Sequence, residues 1–253
     1  MKEEVVTIAE IKRFGLQITQ PADGYHFSLD SLLLANFVNP TAGMHFCDLG
    51  TGSGIISLIL CKRFPSASVL AIDSNEEMVK LAIENAACND LSDRIKPVKV
   101  DVIDLKRLFP VSSFDGVVAN PPFRTSSSGK VSPKAGRDTA RHETTAGIAD
   151  FLSAAKYLVK PSGKICFVYH PDRLVDFIRC ATELKLSLLR LRMVHGTPDA
   201  PAKIFLAEVA KGRRGTASIL PPLIVYEANG AYTSDMQSIF QGIIHGEGSN
   251  YVQ

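Results

Sequence analysis

Short apolar runs alternate along this chain with longer amphipathic ones. Residues 44–49 form an extended apolar run that stops at a glycine cluster. Residues 53–63 then carry Ile55, Ile56, Leu58, Ile59 and Leu60, a stripe broad enough for a buried helix. Val69–Ile72 predicts a second strand. Glu76–Cys88 predicts a helix with Met78, Leu81, Ala82 and Ile83 on its apolar face and two acids in its first turn, where they complement the helix dipole. Further strands are predicted at Ile95–Val100, Phe114–Ala119 and Lys164–Tyr169, and a helix at Ala149–Leu158 that Pro161-Ser162-Gly163 terminates. Strands and helices alternating in this way predict an α/β fold, a doubly wound parallel sheet covered on both faces. After Leu184 two extended runs follow, Ser187–Val194 and Ile204–Ala210, which suit an antiparallel strand closing that sheet. The expected sheet has seven strands, with the last one antiparallel.

Upstream, Gln20–Ser31 leads into an apolar helix at Leu32–Val38, with Ser28 or Asp30 as its cap. The expected organisation is an N-terminal segment (1–43), which the family resemblance given below places over the cofactor pocket, a central domain (44–215) and a C-terminal extension (216–253) of unknown role.

Composition changes this picture little. With 28 Lys+Arg against 26 Asp+Glu in 253 residues, the chain is neither a polycation nor a disordered polyelectrolyte. A local basic loop still leaves nucleic acid open as a partner. The cysteines at 47, 61, 88, 166 and 180 form no CxxC pair, so neither a disulfide framework nor a zinc knuckle is predicted, and Cys47, Cys61 and Cys166 read as core residues. No metal site is expected. The acidic start Met1-Lys2-Glu3-Glu4 is followed by no long apolar stretch, and no segment has the roughly 18 uninterrupted apolar residues of a membrane span, so the expected compartment is the cytoplasm.

The strongest local signal is Asp48-Leu49-Gly50-Thr51-Gly52-Ser53-Gly54, at a strand-to-helix turn. Glycines allow a tight turn and close approach of the backbone to a ligand, and the helix start offers free N–H donors. A dinucleotide fingerprint would read GxGxxG; this stretch reads GxGxG after an acid. Asp73, ending the second strand, can accept bonds from two ribose hydroxyls or cap the next helix. Asp101 follows the third strand, with Asp104 as a competitor for the same role. Asn120-Pro121-Pro122-Phe123 directly follows the fourth strand. Asn120 Oδ1 and the Pro121 carbonyl are two acceptors held at one strand end, suited to a group with two N–H bonds, while Phe123 offers a stacking face. Past it, residues 124–141 hold Arg124, Lys130, Lys134, Arg137 and Arg141 against Asp138 alone, a long loop suited to phosphates. His142 and His195 read as surface histidines rather than catalytic bases.

The Asp48–Gly54 stretch resembles motif I of class I S-adenosylmethionine-dependent methyltransferases, and Asn120–Phe123 resembles the (N/D)PP(Y/F) motif of those that methylate a planar nitrogen. Gly24-Tyr25-His26-Phe27-Ser28-Leu29-Asp30-Ser31 and Arg137–Glu143 narrow the resemblance to the bacterial tRNA1(Val) adenine-N6 methyltransferase group, which modifies the adenine beside the anticodon. The resemblance covers roughly residues 10–210. It implies a Rossmann-like methyltransferase fold and S-adenosylmethionine held by Asp48, Gly50, Thr51, Gly52, Gly54, Asp73 and Asp101, with Asp101 on the adenine. It further implies catalysis by Asn120, Pro121, Pro122 and Phe123, and tRNA held by Tyr25 and the loop cations. Alternative substrates are rRNA guanine-N2 and a protein glutamine-N5, whose enzymes share the motif. Release-factor enzymes, however, carry Tyr where this chain has Phe123. A non-catalytic RNA-binding protein is the third reading, and the intact Asn-Pro-Pro-Phe argues against it.

Overall fold

The structure, a computed structural model, describes residues 6–11, 14–21, 28–39, 44–122, 146–212, 216–240 and 243–244. Its centre is a large twisted sheet. Strands β3 (His45–Leu49), β4 (Ser68–Asp73), β5 (Ile95–Lys99), β6 (Phe114–Ala119) and β7 (Val159–Tyr169) run parallel; β8 (Leu186–His195) and β9 (Ala202–Lys211) complete it. Across the sheet the order is β5-β4-β3-β6-β7-β9-β8, and only β9 opposes its neighbours. Two further strands, β10 (Ser218–Ile219) and β11 (Leu223–Ile224), pair with the outer edge of β8 and bring the count to nine rather than seven. They cover an edge that would otherwise present unpaired backbone groups to solvent.

Helices cover both faces. Phe46, Val69, Val118, Val168 and Leu206 point to one side, packing with α1 (Leu29–Phe37) and α2 (Ile55–Arg63). Cys47, Val117, Phe167 and Phe205 point to the other, against α5 (Ile148–Leu158) and α6 (Leu174–Glu183). This side-to-side alternation is the period-two signature of a strand buried on both faces. Cys47, Cys61 and Cys166 are core residues as their apolar setting implies, with exposures of 1% or less for the first two. α3 (Glu76–Cys88) begins and ends where its pattern predicts; its cap is Asn75, which accepts the Glu77 N–H. α4 (Leu105–Leu108) is a single turn after β5.

The expectation for residues 161–163 needs correction. The helix ends by itself at Leu158, and Pro161-Ser162-Gly163 lies inside β7 at a register shift against β6. Gly163 is required by close approach: a Cβ there would stand 2.6 Å from the Asp115 carbonyl oxygen.

The N-terminal segment is a hairpin, β1 (Val6–Ile11) and β2 (Leu16–Pro21), extended by β12 (Ile243–Ile244). Two asparagines on α3 fasten it. Asn85 bonds both backbone groups of Thr19, and Asn89 both those of Gln17. Each side-chain amide stands in for the backbone of a neighbouring strand. Among the described residues no helix is long and apolar enough to cross a membrane.

Candidate active site

The parallel strands end along one edge, and the sequence motifs sit there in a row. In sheet order the row reads Asp101 beyond β5, Asp73 ending β4, Asp48 and the glycine loop at β3, and Asn120 beyond β6. Neighbouring strands lie about 4.8 Å apart, so the row spans about 15 Å. A crevice at the carboxyl ends of the strands, where the order reverses between β3 and β6, is the ligand position of open α/β sheets.

Gly50, Gly52 and Gly54 have φ of 71°, 56° and 87°, a left-handed region that side chains disfavour. The loop is folded by its own bonds. The Gly50 and Thr51 N–H groups donate to the Ile72 carbonyl, the Gly54 N–H to the Thr51 carbonyl, and the Gly52 N–H to Asp73 Oδ2 at 2.9 Å. These four amides of the loop are therefore occupied. What it offers a ligand is a preformed shape and a close backbone.

Asp48 is fully buried. Its Oδ2 accepts the Thr51 and Ser57 hydroxyls, each at 2.7 Å, and Oδ1 has no partner among the described residues. Burial raises its pKa to about 6, against the pull of the two hydroxyls, and the nearby Asp73 charge adds to the rise. A buried carboxylate with one satisfied and one orphaned oxygen is suited to a charged donor from a ligand, such as an ammonium group.

Asp73 is not the cap of α3. Its Oδ1 accepts the Asn75 N–H and its Oδ2 the Gly52 N–H, and each oxygen keeps a lone pair for a further donor. The Val100 N–H donates to the Asp73 carbonyl, which fixes Asp101 close by. Asp101 caps a 3-10 turn (Val102–Asp104) by accepting the Ile103 N–H, and Asp104 pairs outward with Arg107. Between the two candidates, Asp101 is the one bonded at the strand edge.

Asn120 is half-buried, Pro121 buried and Pro122 exposed. Asn120 Nδ2 donates to Ser31 Oγ, from α1, at 3.0 Å. That leaves Oδ1 as the acceptor for an incoming group. Ser28 occupies the α1 cap position without a side-chain cap bond, and Asp30 lies in the first turn. Burial raises the Asp30 pKa, offset by a bond from Ser28 and by the charge of His170.

Tyr25, Phe123, Arg124, Lys130, Lys134, Arg137, Arg141 and His142 lie outside the described residues. His195 has a backbone partner, the Ala200 carbonyl at 2.7 Å, and Lys211 donates to Ser112 and to the Lys156 carbonyl. Sequence reasoning missed Ser57, which completes the Asp48 cluster; a hydroxyl on the first turn of the helix after motif I was its only signal. It also missed the role of Ser31, which lay unremarked in the Asp30-Ser31 pair.

The family model of the methyltransferase small domain matches residues 28–177. A tRNA1(Val) (adenine(37)-N6)-methyltransferase of Porphyromonas gingivalis is 32% identical, covering 90% of this chain and 91% of its own length. One of Vibrio campbellii with the same name is 29% identical, covering 94% and 97%. Among solved structures, a "predicted O-methyltransferase, protein Atu636" of Agrobacterium tumefaciens superposes with a TM-score of 0.69 at 22% identity, over 85% of this chain and 96% of its own. TrmN of Thermus thermophilus superposes with a TM-score of 0.53 at 23% identity, over 72% and 48%. At those identities the two structures establish a common fold. By the family match and the relatives' identity over most of the chain, this protein belongs to the methyltransferase small domain family, with the tRNA1(Val) (adenine(37)-N6)-methyltransferases among its members.

Proposed function

We propose that this protein transfers a methyl group from S-adenosylmethionine to the exocyclic N6 of an adenine in tRNA, the adenine at position 37 of tRNA1(Val), and that it does so in the cytoplasm. The observation that carries the reading is the row Asp101–Asp73–Asp48–Asn120 along one sheet edge, ending in an asparagine whose Oδ1 is left unbonded by Ser31. The relatives' names supply the tRNA and the position.

The residues present fit the cofactor. The orphaned Asp48 Oδ1 suits its methionine ammonium, the glycine loop lets its chain pass close to the backbone, Asp73 suits the ribose hydroxyls, and Asp101 the adenine amino group. S-Adenosylmethionine, when bound, supplies a sulfonium methyl that needs no further activation. Asn120 Oδ1 accepts one N–H of the target amine and the Pro121 carbonyl the other. Both bonds draw the nitrogen towards a tetrahedral form with its lone pair aimed at the methyl carbon. Bound S-adenosylmethionine would supply the methyl and leave as the neutral thioether, and the amine's surplus proton would pass to water. Catalysis is then mostly alignment of two bound reactants. Phe123 stacks on the flipped base, the segment before β3 covers the pocket, and Tyr25, Arg124, Lys130, Lys134, Arg137 and Arg141 hold the RNA as the base is extruded.

The test is incubation with labelled S-adenosylmethionine and unmodified bulk tRNA, digestion to nucleosides and identification by mass. N6-methyladenosine supports the reading. Label only in rRNA guanine or in protein glutamine overturns the substrate and keeps the methyl transfer; bound RNA with no transfer overturns both.

A further inference from the structure

Ser31 is the one polar residue among the buried positions of α1. Its neighbours Leu32, Leu33, Leu34 and Ala35 are all buried, and Ser31 itself is 3% exposed. A buried hydroxyl is costly unless it is bonded. The bond it makes is to Asn120 Nδ2, 89 positions along the chain. α1 is held firmly for this purpose. Arg63 donates to the carbonyls of Ala35 and Val38, and Arg190 donates to the Phe37 carbonyl at 3.0 Å while stacking over the Phe37 ring. A helix clamped at its far end presents the Ser31 hydroxyl at a fixed place.

An asparagine amide has an acceptor end and a donor end, exchanged by a half-turn of the side chain. A serine hydroxyl can meet either end, so the bond to Ser31 does not choose between the orientations; it fixes where the amide sits. Among the described residues Asn120 Nδ2 has no partner besides Ser31. We infer that Ser31 is a positioning residue, whose hydroxyl anchors the Asn120 side chain in place beside the target nitrogen. The inference rests on the proposed use of Asn120, but not on which base is methylated.

The test compares wild type, Ser31→Ala and Ser31→Thr by steady-state methyl transfer, with cofactor and RNA affinities and melting temperature measured alongside. Ser31→Ala is expected to lower kcat about tenfold, corresponding to about 1.4 kcal/mol, with both affinities and the melting temperature unchanged. Ser31→Thr, which keeps an oxygen acceptor, is expected to recover most of the loss. A kcat within twofold of wild type in Ser31→Ala overturns the inference. So does a loss matched by equal losses in cofactor affinity or melting temperature, the mark of a merely structural role. A wild type that methylates no tRNA adenine refutes the substrate instead, and the same comparison then runs on the planar nitrogen it does methylate.

Discussion

Lowering the pH from 7 to 5 is expected to weaken S-adenosylmethionine binding about tenfold, through Asp48. In the free protein burial lifts this carboxyl to a pKa of about 6. An ammonium at the orphaned Oδ1, as proposed, would require the ionised form. At pH 7 about nine-tenths of the protein carries that form, at pH 5 about one-tenth, and the apparent Kd scales inversely with the competent fraction. The cofactor's own amine, with a pKa of about 8, stays protonated throughout. The same shift sets the sign for stability. Because the folded-state pKa is raised, the folded protein binds more protons than the unfolded chain between pH 3.8 and about 6. Asp48 therefore costs stability progressively as pH rises through that window, reaching about 3 kcal/mol above it. Titration calorimetry from pH 5 to 7, in buffers of different ionisation heat, measures the affinity and the released proton together. Asp48→Asn should bind weakly and without pH dependence. A wild-type Kd flat across this range, or an Asp48→Asn variant of wild-type affinity, would refute the reasoning.

Other perturbations separate the parts of the site. Asn120→Ala is expected to abolish transfer, with cofactor affinity by calorimetry within about twofold of wild type, since its side chain serves the target amine rather than the cofactor; wild-type turnover removes it from the mechanism. Asn85→Ala breaks bonds to Thr19 and to the Ser53 carbonyl and leaves buried backbone groups unpaired. It should cost about 3 kcal/mol in denaturant unfolding, and amide exchange in β2 should rise. Replacing Lys130, Lys134 and Arg137 with Ala should weaken tRNA binding and lower its salt slope by up to about three phosphate contacts; an unchanged slope moves the RNA surface elsewhere.

What the sequence made legible follows from where the restraint lies. β6 and α3 are encoded locally: a strand buried on both faces is a plain apolar run, and α3 shows its extent and its first-turn acids, although Asn75 rather than Asp73 caps it and Ile83, expected on the apolar face, is exposed. The site row was legible for the same reason, since each member lies within two residues of the end of a strand. The hairpin β1–β2 escaped because what fastens it to the domain is the side chains of Asn85 and Asn89, 66 and 72 positions away. The beginning of β7 misled because Pro161 and Gly163 read as a terminator, whereas Gly163 answers to the Asp115 backbone across the sheet. Strands of two residues such as β10 and β11 carry no periodicity at all. Ser31 lay in view, but its meaning depends on a bond to Asn120 that no spacing rule contains.

The most direct measurement of the central claim is methylation of two transcripts, tRNA1(Val) and the same RNA with guanine in place of adenine 37, followed by nucleoside mapping. The account predicts N6-methyladenosine at position 37 of the first and no transfer to the second. Equal label in both transcripts, or none in either while the cofactor is bound, would contradict it.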